Sequence, residues 1–274
     1  MSHDPQPTAP DPSHPEATRS IELEIEVPGT PEQVWRAIAT GPGISSWYVP
    51  HTVEERAGGA AHASFGEGPD MQVSGRVAAW EPPHRVVFDG GAPDSDEPAG
   101  GFAFEWLVQA RDGGSCVVRL VNSGFGSGAE WDDQYHEMTE GWKLFLENLR
   151  LHLTYFAGQS GTAMLPMAHW PGPRGTAWST LTGRLGLPEA PTVGDRVSTR
   201  DGVPTLGGTL LSVGATRLAL LLEEPAPGTA FVAAEGDGDA VGVSVWAYLY
   251  GADAPGIAAR DEPRWRTWLQ DGPG

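Results

Sequence analysis

Asp132, His136 and Glu140 recur every four residues, which on a helix sets two carboxylates and an imidazole along one edge. Such a trio has the side chains to move a proton or to bind a divalent ion. All three stand beside the large apolar residues of the same segment, so the spacing fits a solvated, charge-balanced face that Asp133 and Glu137 extend. Gly124-Phe-Gly126-Ser-Gly128 occupies the place of a phosphate cradle, between an expected strand and an expected helix. It lacks the rest of either phosphate-binding fingerprint and no βαβ unit follows, so the glycines read as a strand-to-helix turn. Of the eight histidines, His3 and His14 fall in a polar N-terminal stretch. The others show no metal-ligand spacing, and His51, close to Trp47-Tyr48, is the one placed where a ligand could meet it. Cys116 is the sole cysteine, which excludes an intrachain disulfide or a thiolate cluster and reads as a small core hydrophobe. The chain has no G-x-S-x-G elbow, no Walker lysine loop and no H-E-x-x-H helix. No catalytic residue, metal or cofactor is expected.

The elements that must position these groups come from a chain of 274 residues, 39% apolar, long enough for two modest domains with real cores. No run approaches the roughly 20 apolar residues of a membrane span, and the N-terminus has neither the basic start nor the apolar stretch of a signal peptide. A soluble, cytoplasmic protein is expected. Seventeen basic against 36 acidic side chains give a net charge of −19, which repels a phosphate backbone, so nucleic acid is not an expected partner. The charge is uneven: residues 1–158 hold 9 basic and 24 acidic groups, residues 159–274 hold 8 and 12. An acidic surface on the first half could meet a protein partner with a basic one.

Residues 1–20 are proline-rich and nearly devoid of large apolar side chains, the composition of a disordered tail. From residue 21 the chain alternates strictly, Ile21, Leu23, Ile25 and Val27 against Glu22, Glu24 and Glu26, which is a half-buried strand. Thr30, Pro31 and Gln33 supply a cap, a first-turn proline and a capping-box partner for a helix to about Thr40. Short strands are then expected at about 53–57, 60–66, 71–80, 85–90, 102–110 and 115–122, close enough together to form an antiparallel meander. A long helix over about 129–156 follows, with Trp131, Tyr135, Met138, Trp142, Phe145, Leu149 and Leu153 at steps of three or four. This is an α+β arrangement in which a curved sheet wraps the long helix and leaves a cavity between them.

The order of strand 21–27, Pro31-Glu-Gln-Val-Trp35, Trp47-Tyr48-Val49-Pro50, Gly75-Arg-Val77, Trp80-Glu-Pro-Pro83-His-Arg85 and Glu140-Gly-Trp142 resembles the START/SRPBCC superfamily, in its branch of activators of the heat-shock ATPase and their homologues. The resemblance covers residues 21–157. It implies a helix-grip fold and, for the superfamily, an apolar ligand in the cavity. Fold does not decide function, so three readings follow. The first is non-enzymatic binding of a small hydrophobic molecule, with a stress-related or regulatory role; Trp35, Trp47, Tyr48, His51, Phe104, Trp106, Tyr135, Met138 and Trp142 are its candidate ligand-binding residues. Trp47 and Tyr48 are expected at the mouth, with polar tips reaching water. The others are a cyclase- or hydrolase-like enzyme in the same cavity, which needs a polar pair in the wall, and a cofactor of a chaperone ATPase.

Residues 158–172 are rich in glycine and proline and read as a linker to a degenerate second copy over 173–274. Trp178-Ser-Thr-Leu181 parallels Trp35-Arg-Ala-Ile38, the segments 207–213 and 217–222 parallel the strand pair around Gly75 and Arg85, and Val241 to Tyr250 matches a late strand. The opening strand of this copy is expected to be missing. Trp265-Arg-Thr-Trp268-Leu269 reads as a closing helix of barely two turns.

Overall fold

The computed structural model describes residues 19–66, 68–97, 99–236 and 238–272. The tail expected over 1–20 lies outside the described residues apart from Arg19 and Ser20, which belong to the first strand.

The chain opens with β1 (Arg19–Pro28), α1 (Pro31–Ala39) and α2 (Gly41–Ser45). β1 buries Ile21 and Val27 and leaves the three glutamates exposed, where Glu22 pairs with Arg119. Thr30 caps α1 as expected: its Oγ accepts from the Gln33 amide at 3.4 Å while the Gln33 side chain accepts from the Thr30 amide at 2.8 Å. α1 ends where expected, and a second short helix follows it directly. Thr40 serves as C-cap of α1 and N-cap of α2, and α2 turns the chain so that Trp47-Tyr48 enters the interior.

Six strands follow: β2 (His51–Val53), β3 (Ala60–Ser64), β4 (Gln72–Glu81), β5 (Arg85–Asp89), β6 (Ala103–Arg111) and β7 (Ser115–Phe125). β2 is displaced from the expected 53–57 because Glu54 and Arg56 form a turn in which both bind one another and Arg56 binds Asp94 at 2.7 Å. All neighbours are antiparallel in the order β1-β7-β6-β5-β4-β3-β2, so the opening strand lies beside the last one and the meander runs outward from there. α3 (Asp132–Tyr155) then closes the domain against β1.

The second half repeats this plan more fully than its sequence suggests. It runs β8 (Gly161–Met164), β9 (Met167–Pro171), α4 (Arg174–Leu185), β10 (Arg196–Ser198), β11 (Gly207–Val213), β12 (Arg217–Glu224), β13 (Gly228–Glu235), β14 (Ala240–Tyr250) and α5 (Ala254–Gln270). β8 and β9 both pair antiparallel with β14, so together they are the opening strand, split at Leu165-Pro166. The expected linker 158–172 is therefore corrected: most of it is strand. Split by a proline, neither piece is long enough to display alternation. The closing helix is likewise corrected from two turns to 17 residues. Pro255 sits in its first turn, where a missing N–H costs nothing, and the helix continues through Pro263, so the prolines hide its periodicity.

The two sheets share α3. One face of the second sheet packs on α4 and α5 through Leu218, Leu220, Ala230, Val232, Val243 and Val245. Its other face presents Ala219, Phe231, Tyr248 and Tyr250 to the core of the first domain. Phe145 stacks on Trp246 with centroids 5.5 Å apart, and Phe156 stacks on Tyr250 at 3.9 Å. Residues 148, 152 and 156, in line with Phe145 of the stripe that the sequence displays, thus make a second stripe beside 142, 149 and 153.

A buried polar seam runs along this second stripe. Asn148, wholly buried, donates to the Trp47 carbonyl at 2.8 Å and accepts from the Thr229 hydroxyl at 2.7 Å. The Tyr250 hydroxyl donates to the Ser46 carbonyl at 2.7 Å, so the His152 Nδ1 lying 2.9 Å from it must carry the proton and donate to the tyrosine oxygen. The Ser46 hydroxyl accepts from the Gly161 amide at the start of β8.

Two expected outcomes follow. Asn148→Leu leaves the Trp47 carbonyl and the Thr229 hydroxyl buried without partners and costs about 2–4 kcal/mol in urea unfolding. Burial holds the His152 pKa down to about 4, whereas in the unfolded chain it titrates near its ordinary 6.5. The unfolded state therefore takes up its proton first, and stability falls as pH drops from 6.5 towards 4, by about 1.4 kcal/mol per pH unit from this residue. His152→Asn, which keeps a donor at the Nδ1 position, should narrow the difference in urea midpoint between pH 7 and pH 5; an unchanged difference would place the acid sensitivity elsewhere.

Candidate functional site

Between the first sheet and the N-terminal half of α3 lies a cavity of about 450 Å³. This is at the lower end of the range for small-molecule pockets. Cross-strand register decides which side chains face it. Phe88 on β5 pairs with Phe104 on β6, and Val86 pairs with Trp106, so these share the inner face. His51, Ala63 and Val73 form one row across β2, β3 and β4, and Val53, Ala61 and Gly75 form the next, on the same face. Thr52, His62 and Ser74 make the intervening row, which is exposed on the opposite face. His62 and Ser74 thus contribute backbone to the wall, and their side chains, 3.0 Å apart, meet outside it. Asp89 also falls on the outer face, paired with Arg76 at 3.0 Å. The Arg76 guanidinium reaches the Glu97 carbonyl at 3.0 Å and the Ser95 carbonyl as well, so neither charge is free for a ligand.

Seven of the nine sequence-derived candidates line the cavity: Trp47, Tyr48, His51, Phe104, Trp106, Met138 and Trp142. Trp142 is the centre of the wall, with ring centroids 5.1 Å from Tyr48, 5.6 Å from Trp106 and 5.7 Å from Phe104. Its indole N–H donates to Asn122 on β7 at 3.2 Å, which ties α3 to the sheet at the cavity floor. Trp35 and Tyr135 do not line it. Trp35 packs edge-on against Trp80 at 4.9 Å, and Tyr135 packs on Phe125 while its hydroxyl donates to the Ser20 carbonyl at 3.1 Å. The amphipathic spacing that suggested them is core packing at the two ends of the sheet.

The expected wet tip of Trp47 is also corrected. α2 turns Trp47 and Tyr48 inward: Trp47 is 1% exposed and its indole N–H donates to the Ala37 carbonyl at 2.8 Å. Tyr48 lies within 4.4 Å of the Phe145 ring, and burial raises its hydroxyl pKa well above the ordinary value. Sequence reasoning missed Ile38, Ile44, Phe65, Val73, Phe88, Phe102 and Phe145 as wall residues. For Phe88, Phe102 and Phe145 a signal existed, since each continues a period already assigned to the inner face.

Gly141 is the least expected wall residue. It sits in the interior of α3, faces the cavity, and a Cβ added to it would meet nothing within 4 Å. A mid-helix glycine costs roughly 0.5–1 kcal/mol relative to alanine. Here it leaves open the space that any other residue would occupy.

The remaining chemistry candidates are dispersed. Asp132 pairs with Arg19 at 2.7 Å, and Glu140 pairs with Lys143 at 2.6 Å, which with its hydrogen bond holds the Glu140 carboxyl below the usual range. His136 is exposed. Among the described residues no group of three or more His, Cys, Asp or Glu side chains is placed to hold a metal ion. Cys116 is fully buried with its thiol pKa raised, first by burial. Gly124 has φ +107° and its Cα packs against the Gly101 carbonyl, so this glycine serves a close turn. No described helix is long and apolar enough to cross a membrane.

Comparison with solved structures finds similar proteins at low identity. The Mesorhizobium loti protein MLL2253 is 20% identical with a TM-score of 0.42, covering 50% of this chain and 98% of its own. The Aha1 dimer from Colwellia psychrerythraea is 18% identical with a TM-score of 0.40, over 50% of this chain and 97% of its own. The di-domain ARO/CYC BexL from the BE-7585A biosynthetic pathway is 16% identical with a TM-score of 0.42, over 92% of both chains. No curated protein sequence matches. Over residues 28–154 the chain matches the family model described as Activator of Hsp90 ATPase homolog 1-like protein, and that segment carries the curved sheet and long closing helix described above.

Proposed function

We propose that the N-terminal domain binds a small, neutral, apolar molecule in the cavity between its sheet and α3, without chemical conversion. The observation that carries this reading is the wall itself. Its side chains are aromatic and aliphatic, the nearby charges of Arg76 and Asp89 are paired on the outer face, and Gly141 keeps the interior open. Burying apolar ligand surface there gains about 25 cal/mol per Å² before the costs of association. A charged ligand would lose its hydration and meet no counter-charge. The enzyme alternative needs two cooperating polar groups in the wall. Register leaves Tyr48 and His51 as the polar side chains facing it, and Tyr48 is held neutral by burial.

The test uses the intact protein and N-phenyl-1-naphthylamine, a neutral fluorescent apolar probe. Saturable one-to-one binding is expected for the native chain. Gly141→Leu projects a side chain into the cavity and should weaken binding at least tenfold, while raising the urea midpoint because leucine is the better helix former. Undiminished binding in Gly141→Leu would put the probe elsewhere and overturn the reading.

A further inference from the structure

The cavity's hydrogen-bonding capacity is small enough to inventory completely. Trp47, Trp142 and Asn122 are committed, to the Ala37 carbonyl, to Asn122 and to the Ala103 carbonyl respectively. The Tyr48 hydroxyl, which also faces the cavity, can donate as well as accept and so does not by itself select a ligand's polarity. His51 is different. Its Nδ1 lies 2.7 Å from the Val49 carbonyl, a group that can only accept, so Nδ1 carries the proton. In the neutral ring Nε2 is then a bare lone pair, and it makes no hydrogen bond to the described residues. Burial lowers the His51 pKa, which keeps the ring neutral at physiological pH. The ring lies in the row facing the cavity, 5.5 Å from the Tyr48 ring.

We infer that His51 Nε2 is the acceptor against which the cavity reads its ligand, and that the ligand class is a neutral, flat aromatic molecule carrying a hydroxyl group. The inference rests on the apolar-binding reading and adds polarity and shape to it. Flatness follows from the walls, since the rings of Tyr48, Phe104, Trp106 and Trp142 offer faces and edges for offset or edge-on contact. The hydroxyl follows from the tautomer. A lone pair fixed by the Val49 carbonyl rewards a donor on the ligand and gives an acceptor at that point no partner. Neutrality follows from the absence of a facing cation, with Arg76 turned to Asp89 and to backbone carbonyls on the outer face.

Three naphthalenes of one ring system separate these terms: 2-naphthol, which donates; 2-methoxynaphthalene, which only accepts; and 2-naphthoate, which is charged. Competition against N-phenyl-1-naphthylamine should rank the native protein naphthol first, the methyl ether about tenfold weaker, as expected for one buried hydrogen bond gained or left unmade, and naphthoate weaker still. His51→Leu, checked for fold by its circular dichroism and by retained binding of the amine probe, should bring naphthol and its ether within twofold of each other, with the loss falling on naphthol. His51→Gln, which retains an acceptor oxygen, should recover part of the preference. Equal binding of naphthol and ether by the native protein, a preference that survives His51→Leu, or tighter binding of naphthoate would overturn the inference while the cavity reading stands. Failure of the amine probe itself to bind would remove the cavity reading, and this inference with it.

Discussion

Helix α3 belongs to two cores at once, and the rest of the molecule is arranged around that fact. A helix flanked by sheets on two sides keeps only an edge in solvent, here that of His136, Lys143 and Arg150, so every polar group on the buried part needs a protein partner. Asn148 and His152 meet that demand by binding across the seam, to Trp47 and Thr229 in one case and to Tyr250 in the other. These contacts are directional where apolar packing is not. They fix the register of the second sheet along α3, and through Trp47 and Ser46 they fix the segment that lines the cavity.

The cavity is consistent with this rigidity. An unfilled volume next to a loosely held helix would collapse, because neighbouring side chains relax into it. Here α3 is clamped from the sheet side by Trp142 on Asn122 and from the other side by Phe145 on Trp246 and Asn148 on Thr229. Gly141 lies one residue before the first of these clamps. The helix is held at a position with no side chain, and the space opposite it stays open.

Much of this was legible in the sequence, for a definable reason. β1, the capped α1, the β5 to β7 meander and the first stripe of α3 each show a period that one buried face imposes, and seven of nine wall candidates followed from that period and the resemblance. The failures share another cause. The second stripe of α3 mixes Phe156 with Asn148 and His152, and a polar residue on a helix reads as solvent-facing unless its partner is known. Those partners, Thr229 and Tyr250, lie 81 and 98 residues away. The split opening strand and α5 were hidden because proline interrupts the local pattern while tertiary pairing to β14 and packing on the sheet supply the stability that propensity lacks.

The second domain keeps the topology of the first but uses it differently. Its inner face is filled by Leu181 and Leu185 from α4 and by Trp265 and Leu269 from α5, and Arg184 lies over the rings of Trp170 and Trp268, binding those helices to β9. Its outer face, which in a lone domain would be half polar, carries Ala219, Phe231, Tyr248 and Tyr250. Alternation along β13 and β14 is therefore apolar on both faces, as a sheet buried on both sides requires. A sheet so constructed is a structural backing for α3. With one copy open around Gly141 and the other packed solid behind the same helix, the duplication divides the work: the second fold holds the helix whose position gives the first its cavity.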